Sequence, residues 1–346
     1  MERSQSFESV RHYYGEVLQS SSDLQTSACC IGSAPAPHIL SALDGVHEEV
    51  KSRFYGCGSP IPLSLDGARV LDLGCGTGRD CYVLSQLVGP DGKVTGVDMT
   101  EAQLAVANRH REHHAKKFGY ANVEFRLGYI EDLCTAQVAD SSMDVVISNC
   151  AINLSPDKTS VFNEIFRVLK PGGELYFSDV FADRRIPAGL VADPVLRGEC
   201  LGGALYWEDF RRLLSDVGCD DSRVIERHRI AINNPELEQR AGPLKFYSVT
   251  VRAFNLALED RCEDYGQAAI YRGTIAEAPH AFVLDDHHHF EAGKAMAVCG
   301  NTADMLAETR YAPHFQVIGS KSAHFGLFDC EPATVAEDGS GPVKCC

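Results

Sequence analysis

Between Arg69 and Asp179 the chain alternates short apolar runs with longer stretches in which apolar residues return at helical spacing. Val70 to Leu73, Lys93 to Val97, Val123 to Arg126, Asp144 to Ser148 and Glu174 to Ser178 are compact runs bounded by turn residues, which predicts strands buried in a sheet. Gly89-Pro90-Asp91-Gly92 separates the first helical stretch from the second strand. Thr100-Glu101-Ala102-Gln103 has capping-box spacing and predicts the start of a helix. Val161, Ile165, Val168 and Leu169 make an apolar stripe for another, ended by Lys170-Pro171-Gly172-Gly173. Strands alternating with helices in this way imply an α/β fold with a doubly wound parallel sheet.

The pattern differs on either side. Residues 7–28 predict an N-terminal helical segment, followed by a turn-rich stretch at Ala34-Pro35-Ala36-Pro37 and a helical piece from His47 to Arg53. The loop from Phe54 to Pro60 sits just ahead of the first strand, where it can close over a ligand. After Asp179 come a loop-rich stretch over 183–200 and a glycine cluster from Gly198 to Trp207. A helix over Glu208 to Val217 follows, then strands over 223–254 broken at Asn233-Asn234-Pro235. The last hundred residues read as mixed short elements, and 331–346 as a disordered tail.

Val70-Leu71-Asp72-Leu73-Gly74-Cys75-Gly76-Thr77-Gly78-Arg79 joins the first strand to the first helix through a glycine turn. Such a turn lets the backbone approach a ligand closely. A dinucleotide fingerprint needs glycine where this chain has Arg79, so NAD is disfavoured. Asp98 ends the second strand, where folds of this type hydrogen-bond a ribose. Met99 and Gln103 follow it, Ile130 and Glu131 lie beyond the third strand, and Asn149 and Cys150 end the fourth. All belong to the same sheet edge. His110, His113 and His114, among arginines and lysines, read as a solvated helix face, and Asp285 to His289 lacks any partner fixed by metal-site spacing.

Composition narrows the function. The formal charge of −16, from 48 acidic against 32 basic residues, would repel a phosphate backbone unless basic residues gathered on one face, and Lys and Arg are scattered, so no nucleic-acid partner is expected. The first residues lack an apolar signal segment and no run is long enough to span a membrane, so the expectation is a soluble, cytoplasmic protein without membrane contact, and separately a monomer. In a reducing compartment the 14 cysteines, none in Cys-x-x-Cys spacing, suit a soft ligand or redox work better than structural disulfides.

Several motifs together resemble the arsenite S-adenosylmethionine methyltransferases over nearly the whole length. They are Tyr13-Tyr14-Gly15, Thr26-Ser27-Ala28-Cys29, Tyr55-Gly56-Cys57-Gly58-Ser59-Pro60, the Asp72 to Asp80 turn, Val146 to Cys150, Gly172 to Asp179 and Gly198 to Trp207. The resemblance implies a class I methyltransferase, Rossmann-like sheet with smaller α+β additions. It divides the chain into a cofactor domain (1–182), an arsenic-binding domain (183–255) and a C-terminal domain (256–346). It also implies S-adenosylmethionine as cofactor, bound by Tyr55, Asp72, Gly74, Gly76, Arg79, Asp98, Met99, Gln103, Ile130, Glu131 and Asn149. Cys150 and Cys200 take the positions of the family's arsenic-binding pair, and Cys29 and Cys57 those of its redox pair. Cys57 or Cys29 would be the third arsenic ligand, and Cys30 is a possible substitute for Cys29. Thioredoxin or glutathione would be the thiol reductant, with arsenite and methylarsenite as substrates and one to three methyl groups added.

The chemistry is consistent with that resemblance. Trivalent arsenic is thiophilic, so thiolates suit it as ligands. The residues alone also leave room for a methyltransferase of a small organic metabolite, which would not use the cysteines, or for a thiol-based arsenic-sequestering protein, which would not need the glycine turn.

Overall fold

The computed structural model describes residues 7–8, 10–11, 13, 34–54, 56, 58–191, 193–198, 200–232 and 234–329. In chain order the elements up to the sheet's fifth strand are α1 (Pro37–Asp44), α2 (Glu48–Lys51), β1 (Arg69–Leu73), α3 (Arg79–Val88), β2 (Lys93–Asp98), α4 (Glu101–Arg109), α5 (Arg111–Phe118), β3 (Val123–Leu127), β4 (Met143–Asn149), α6 (Lys158–Val168) and β5 (Leu169–Ala182). They are followed by α7 (Ala188–Val191), α8 (Pro194–Gly198), β6 (Leu205–Tyr206), α9 (Trp207–Asp216), β7 (Ser222–Ile230), α10 (Pro235–Ala241) and β8 (Phe246–Phe254).

The strands build one eight-stranded sheet in the order β3-β2-β1-β4-β5-β8-β7, with β6 added to the end of β5. β1 to β5 are parallel, whereas β8 and β7 add antiparallel. The chain order reverses between β1 and β4. In a doubly wound sheet that switch point opens a crevice at the strands' carboxyl ends. The expected α/β class is therefore observed. One face is packed by α6 and α9 through Phe162, Phe177 and Phe210, and the other by α1 and α3 through Ile39, Leu84 and Val88.

Beyond β8 lie β9 (Glu263–Asp264), β10 (Gln267–Tyr271), β11 (Ala281–Val283), β12 (His289–Glu291), β13 (Ala295–Val298), α11 (Gly300–Ala307), β14 (Phe315–Ile318) and β15 (Gly326–Leu327). β13-β10-β14 form an antiparallel sheet. Its core of Tyr271, Phe282, Met305 and Phe315 includes Phe254 from the end of β8. Buried Glu174 on β5 receives Arg252 Nε at 2.8 Å and the Tyr311 hydroxyl at 3.2 Å, and pairs with Arg310, which ties this region to the main sheet.

Four local expectations change. Leu169 opens β5 instead of ending α6, because its backbone joins the ladder opposite Met143. Asn234 does not merely break a strand: its side chain accepts from the amides of Glu236 and Leu237 and starts α10, with Pro235 in the first turn. Thr100 precedes α4 without a side-chain cap, and its amide and hydroxyl both hydrogen-bond to Asp98 instead. Of the three histidines expected on a solvated face only His113 is exposed, whereas His110 and His114 are buried. His114 is buried, stacks on Tyr82 with ring centroids 3.6 Å apart, and accepts the His47 amide at 3.1 Å. Burial lowers its pKa to about 4. Among the described residues no helix is long and apolar enough to cross a membrane.

Candidate active site

The turn after β1 works because its glycines hold backbone angles that other residues resist. Gly74 and Gly76 have φ of +72° and +54°. A Cβ on Gly74 would lie 2.3 Å from that of Ala151, whereas one on Gly76 would meet nothing within 4 Å. Gly74 thus lets β1 pass against the chain next to Cys150, and Gly76 keeps a floor open. Above that floor is a cavity walled by Asp72, Arg79, Asp98, Met99, Ile130 and Asn149, among others.

The cavity is acidic. Asp72, Asp80 and Asp98 are all buried in its wall. Burial, then the neighbouring Asp80 charge, pushes the Asp72 carboxyl up to about 8. Burial also raises Asp98, although Asp98 accepts the amides of Gly76 and Thr100, each at 2.8 Å, which favours its charged form. Arg79 balances one charge by pairing with Asp80 at 2.7 Å while its guanidinium lies over the Phe54 ring. Asn149 spans the opening, donating to Gly58 O at 2.9 Å and to Asp80 at 3.2 Å. Clustered buried carboxylates of this kind are complementary to a cation. S-adenosylmethionine, with a sulfonium and an ammonium group, fits the donor set and the open glycine floor.

Cys150 lines the same cavity and also belongs to the apolar cluster beneath the 183–246 region. Its φ of +55° and that of Cys200, +65°, are left-handed values uncommon for residues with a Cβ. Hydrogen bonds hold both, across strands at Cys150 and within a turn at Cys200. The Cys150 amide donates to Ser178 O at 2.9 Å, and the Cys200 amide to Arg197 O at 3.1 Å. The Cys200 thiol donates to Cys150 O at 3.1 Å. The glycine cluster permits this approach: a Cβ on Gly203 would lie 2.0 Å from Asn153 O. The ligand atoms of Cys150, Cys200 and Asp179 all fall within 4.8 Å of one another. Cys200 is a reduced thiol, and Cys150 is engaged in a disulfide.

Around the thiols, Asp179 accepts the amides of Asn153 at 3.0 Å and Val180 at 2.8 Å. Burial pushes its pKa up to about 7. Lys158 donates to the carbonyls of Asn153 at 3.3 Å and Ser155 at 3.1 Å. Burial brings it down to about 8, against the attraction of Asp179 and Cys200.

Ten of the eleven cofactor residues expected from the sequence line the cavity: Asp72, Gly74, Gly76, Arg79, Asp98, Met99, Gln103, Ile130, Glu131 and Asn149. Tyr55, Cys29 and Cys57 lie outside the described residues. Cys150 and Cys200, distant in sequence, are brought together. Sequence reasoning passed over Phe54, Asp80, Lys158 and Asp179. Asp80 was legible as the acidic residue two beyond the turn's last glycine. Asp179 was not, because β5 continues to Ala182 and carries it into the interior beside Cys150.

Comparison with known proteins adds an independent observation. A family profile described as a methyltransferase domain matches residues 64–218, and a domain of unknown function matches 258–339. The chain is 60% identical to the arsenite methyltransferase of Aquipseudomonas alcaligenes, over 93% of each chain. It is 47% identical to that of Mus musculus, over 88% of this chain and 82% of the relative. The crystal structure of an arsenic(III) S-adenosylmethionine methyltransferase from Chlamydomonas reinhardtii superimposes with a TM-score of 0.83 at 53% identity, covering 86% of this chain and 100% of that one.

Proposed function

This chain belongs to the arsenite methyltransferase family, and we propose that it transfers methyl groups from S-adenosylmethionine to trivalent arsenic held by Cys150 and Cys200. One observation carries the reading: Cys150 lines the acidic cofactor cavity and, on its other side, touches the thiol of Cys200. A substrate held by both sulfurs would lie beside the cofactor.

Arsenite exchanges hydroxides for thiolates, each thiol proton leaving with a hydroxide as water. Softness favours the As–S bonds. With a third thiolate from Cys57 or Cys29, the arsenic keeps its lone pair. Bound in the cavity, S-adenosylmethionine supplies an electrophilic methyl group on a cationic sulfur. Asp98 would hold the ribose, the open backbone at Gly76 would admit the ligand, and Asp72 and Asp80 would face its positive groups. Attack by a lone pair releases no proton, so the side chains need only bind and align, a contribution on the order of 7–11 kcal/mol.

Each transfer takes arsenic formally to the pentavalent state, and two electrons restore it. We assign them to Cys29 and Cys57, which close a disulfide that thioredoxin or glutathione reopens by thiolate attack. The disulfide at Cys150 supports a reductant requirement, since that sulfur must be reduced before it binds arsenic. Seven described cysteines are reduced thiols, which supports a cytoplasmic setting. We propose a monomer, with residues 1–182, 183–255 and 256–346 as its cofactor, arsenic-binding and C-terminal regions.

The test is arsenic speciation after incubation with arsenite, S-adenosylmethionine and a thiol. Wild type should produce methylated arsenic over many turnovers and stall when the thiol is omitted. Cys150→Ser should bind S-adenosylmethionine and produce none. Full activity in Cys150→Ser, or full-rate turnover without thiol, would refute the ligand or the redox assignment respectively.

A further inference from the structure

Two other pairs of buried cysteines have opposite surroundings. Cys75 and Cys81 sit among the carboxylates of the cofactor cavity, where the Cys81 thiol donates to Asp72 at 3.2 Å. Burial pushes Cys75 up to about 11 and Cys81 well above the usual thiol range, so both stay protonated. Cys262 and Cys299 are equally buried, and neither is in a disulfide. The neighbours of Cys299, however, are cationic and hydrogen-bond donating. Cys299 precedes α11, and its sulfur accepts the Thr302 amide at 3.5 Å, lies 3.3 Å from the Thr302 hydroxyl and receives Arg223 Nη2 at 3.8 Å. The side chain of Cys262 hydrogen-bonds to Cys299; this bond first, then Arg223 and Thr302, outweighs burial and brings Cys299 down to about 6.

Arg223 is fixed in place. Asp221 takes its Nε at 2.7 Å and its Nη2 at 2.6 Å, and Asp285 takes Nη1 at 3.2 Å. Asp285 is held in turn by His288 Nδ1 at 2.8 Å, which accounts for part of the Asp and His run without a metal. Asn301 joins α11 to the segment before Cys262, donating to Glu259 O at 2.7 Å and accepting the Glu259 amide at 2.9 Å. A cavity lined by Asp221, Glu259, Arg261 and Asn301 lies beside the segments that carry the two cysteines, Arg261 being next to Cys262 in the chain. Cys219 lines that cavity and gives its thiol hydrogen to Asp221 O. Arg223 lies at the start of β7, opposite Arg252, and so at the sheet edge away from Asn149 and Cys150.

We propose that Cys262 and Cys299 form a second thiol site, one that takes a monosubstituted trivalent arsenical, R–As(OH)2, within the region that matches a domain of unknown function. Two As–O bonds break and two As–S bonds form; the proton of each thiol leaves with a hydroxide as water, and no electrons change hands. The ligand has two exchangeable positions to match two sulfurs. Arsenic as the natural ligand rests on the proposed function, because the product of a first methylation has this form. The dithiol site itself does not.

The experiment treats the full-length Cys150→Ser/Cys200→Ser protein with phenylarsine oxide, digests it and searches by mass spectrometry for the Cys262 and Cys299 peptides bridged by phenylarsenic. The bridged species is expected in the protein with both sulfurs; Cys299→Ala and Cys262→Ala cannot form it, and half-saturation of the one remaining cysteine should need about 10²–10⁴-fold more probe, as a chelate reduced to one bond loses its effective concentration. Unchanged S-adenosylmethionine binding in these variants shows that they fold. Unmodified Cys262 and Cys299, or the pair joined by a disulfide without arsenic, would overturn the proposal. Because binding is read in a protein lacking Cys150 and Cys200, failure here is distinct from failure of methyl transfer.

Discussion

Gly74→Ala and Gly76→Ala change neighbouring residues of one turn by one methyl group each, yet the structure predicts unequal costs. Both positions have left-handed φ, +72° and +54°, where a residue with a Cβ costs about 1–2 kcal/mol. At Gly76 nothing lies within 4 Å of the added carbon, so that is the whole cost. At Gly74 the new carbon falls 2.3 Å from the Cβ of Ala151, and overpacking of this kind adds about 1–3 kcal/mol. Gly74→Ala should therefore lose about 2–5 kcal/mol and Gly76→Ala about 1–2 kcal/mol. Urea unfolding can be followed by fluorescence of Trp207, the single tryptophan, which packs on Phe181 and Phe210 in the core of the same sheet. The variants should separate in function too. Gly76→Ala places a methyl group in the floor of the cavity and weakens cofactor binding, whereas Gly74→Ala displaces the residue beside Cys150 and lowers the methyl-transfer rate. Equal destabilisation, or a larger loss in Gly76→Ala, would refute the packing argument.

Two further predictions concern charge. Asp72 has its pKa raised to about 8 by burial, from about 3.9 in an unfolded chain, so the folded protein binds the extra proton between those values. Its stabilising contribution is complete below about pH 4 and is lost as pH rises towards 8, by at most about 1.4 kcal/mol per pH unit. Denaturant titrations from pH 5 to 8 should show stability falling, with a shallower slope in Asp72→Asn; an unchanged slope would contradict the assignment. Arg252→Ala would leave Glu174 buried without its Nε partner at 2.8 Å, and would also vacate the bonds to Leu284 O and the Tyr311 hydroxyl. Loss of one partner from a buried pair costs about 3–5 kcal/mol, and a urea-unfolding change below about 1 kcal/mol would show that Glu174 does not depend on Arg252.

The parallel sheet and the cofactor edge were determined by local pattern. Val70 to Leu73 must be buried on both faces, the glycines must turn, and Asp98 must stand at a strand end, because each of these follows from residues adjacent in sequence. The residues that line the cavity were legible for the same reason: in a doubly wound sheet the ends of all parallel strands share one edge. The motif context also marked Cys150 and Cys200, but only folding shows what they touch. Tertiary structure decided what depends on contacts between distant segments. It bent the chain at Cys200 until its thiol met Cys150 O, carried Asp179 inside an extended β5, and buried His114 against Tyr82 on a helix whose charges suggested exposure. It also set Cys299 beside Arg223 with Cys262 against it, while leaving Cys75 and Cys81 among carboxylates. Neither pair is distinguished by spacing, since the reactivity of a buried thiol depends on the sign of the charges packed around it, and those charges come from elsewhere in the chain.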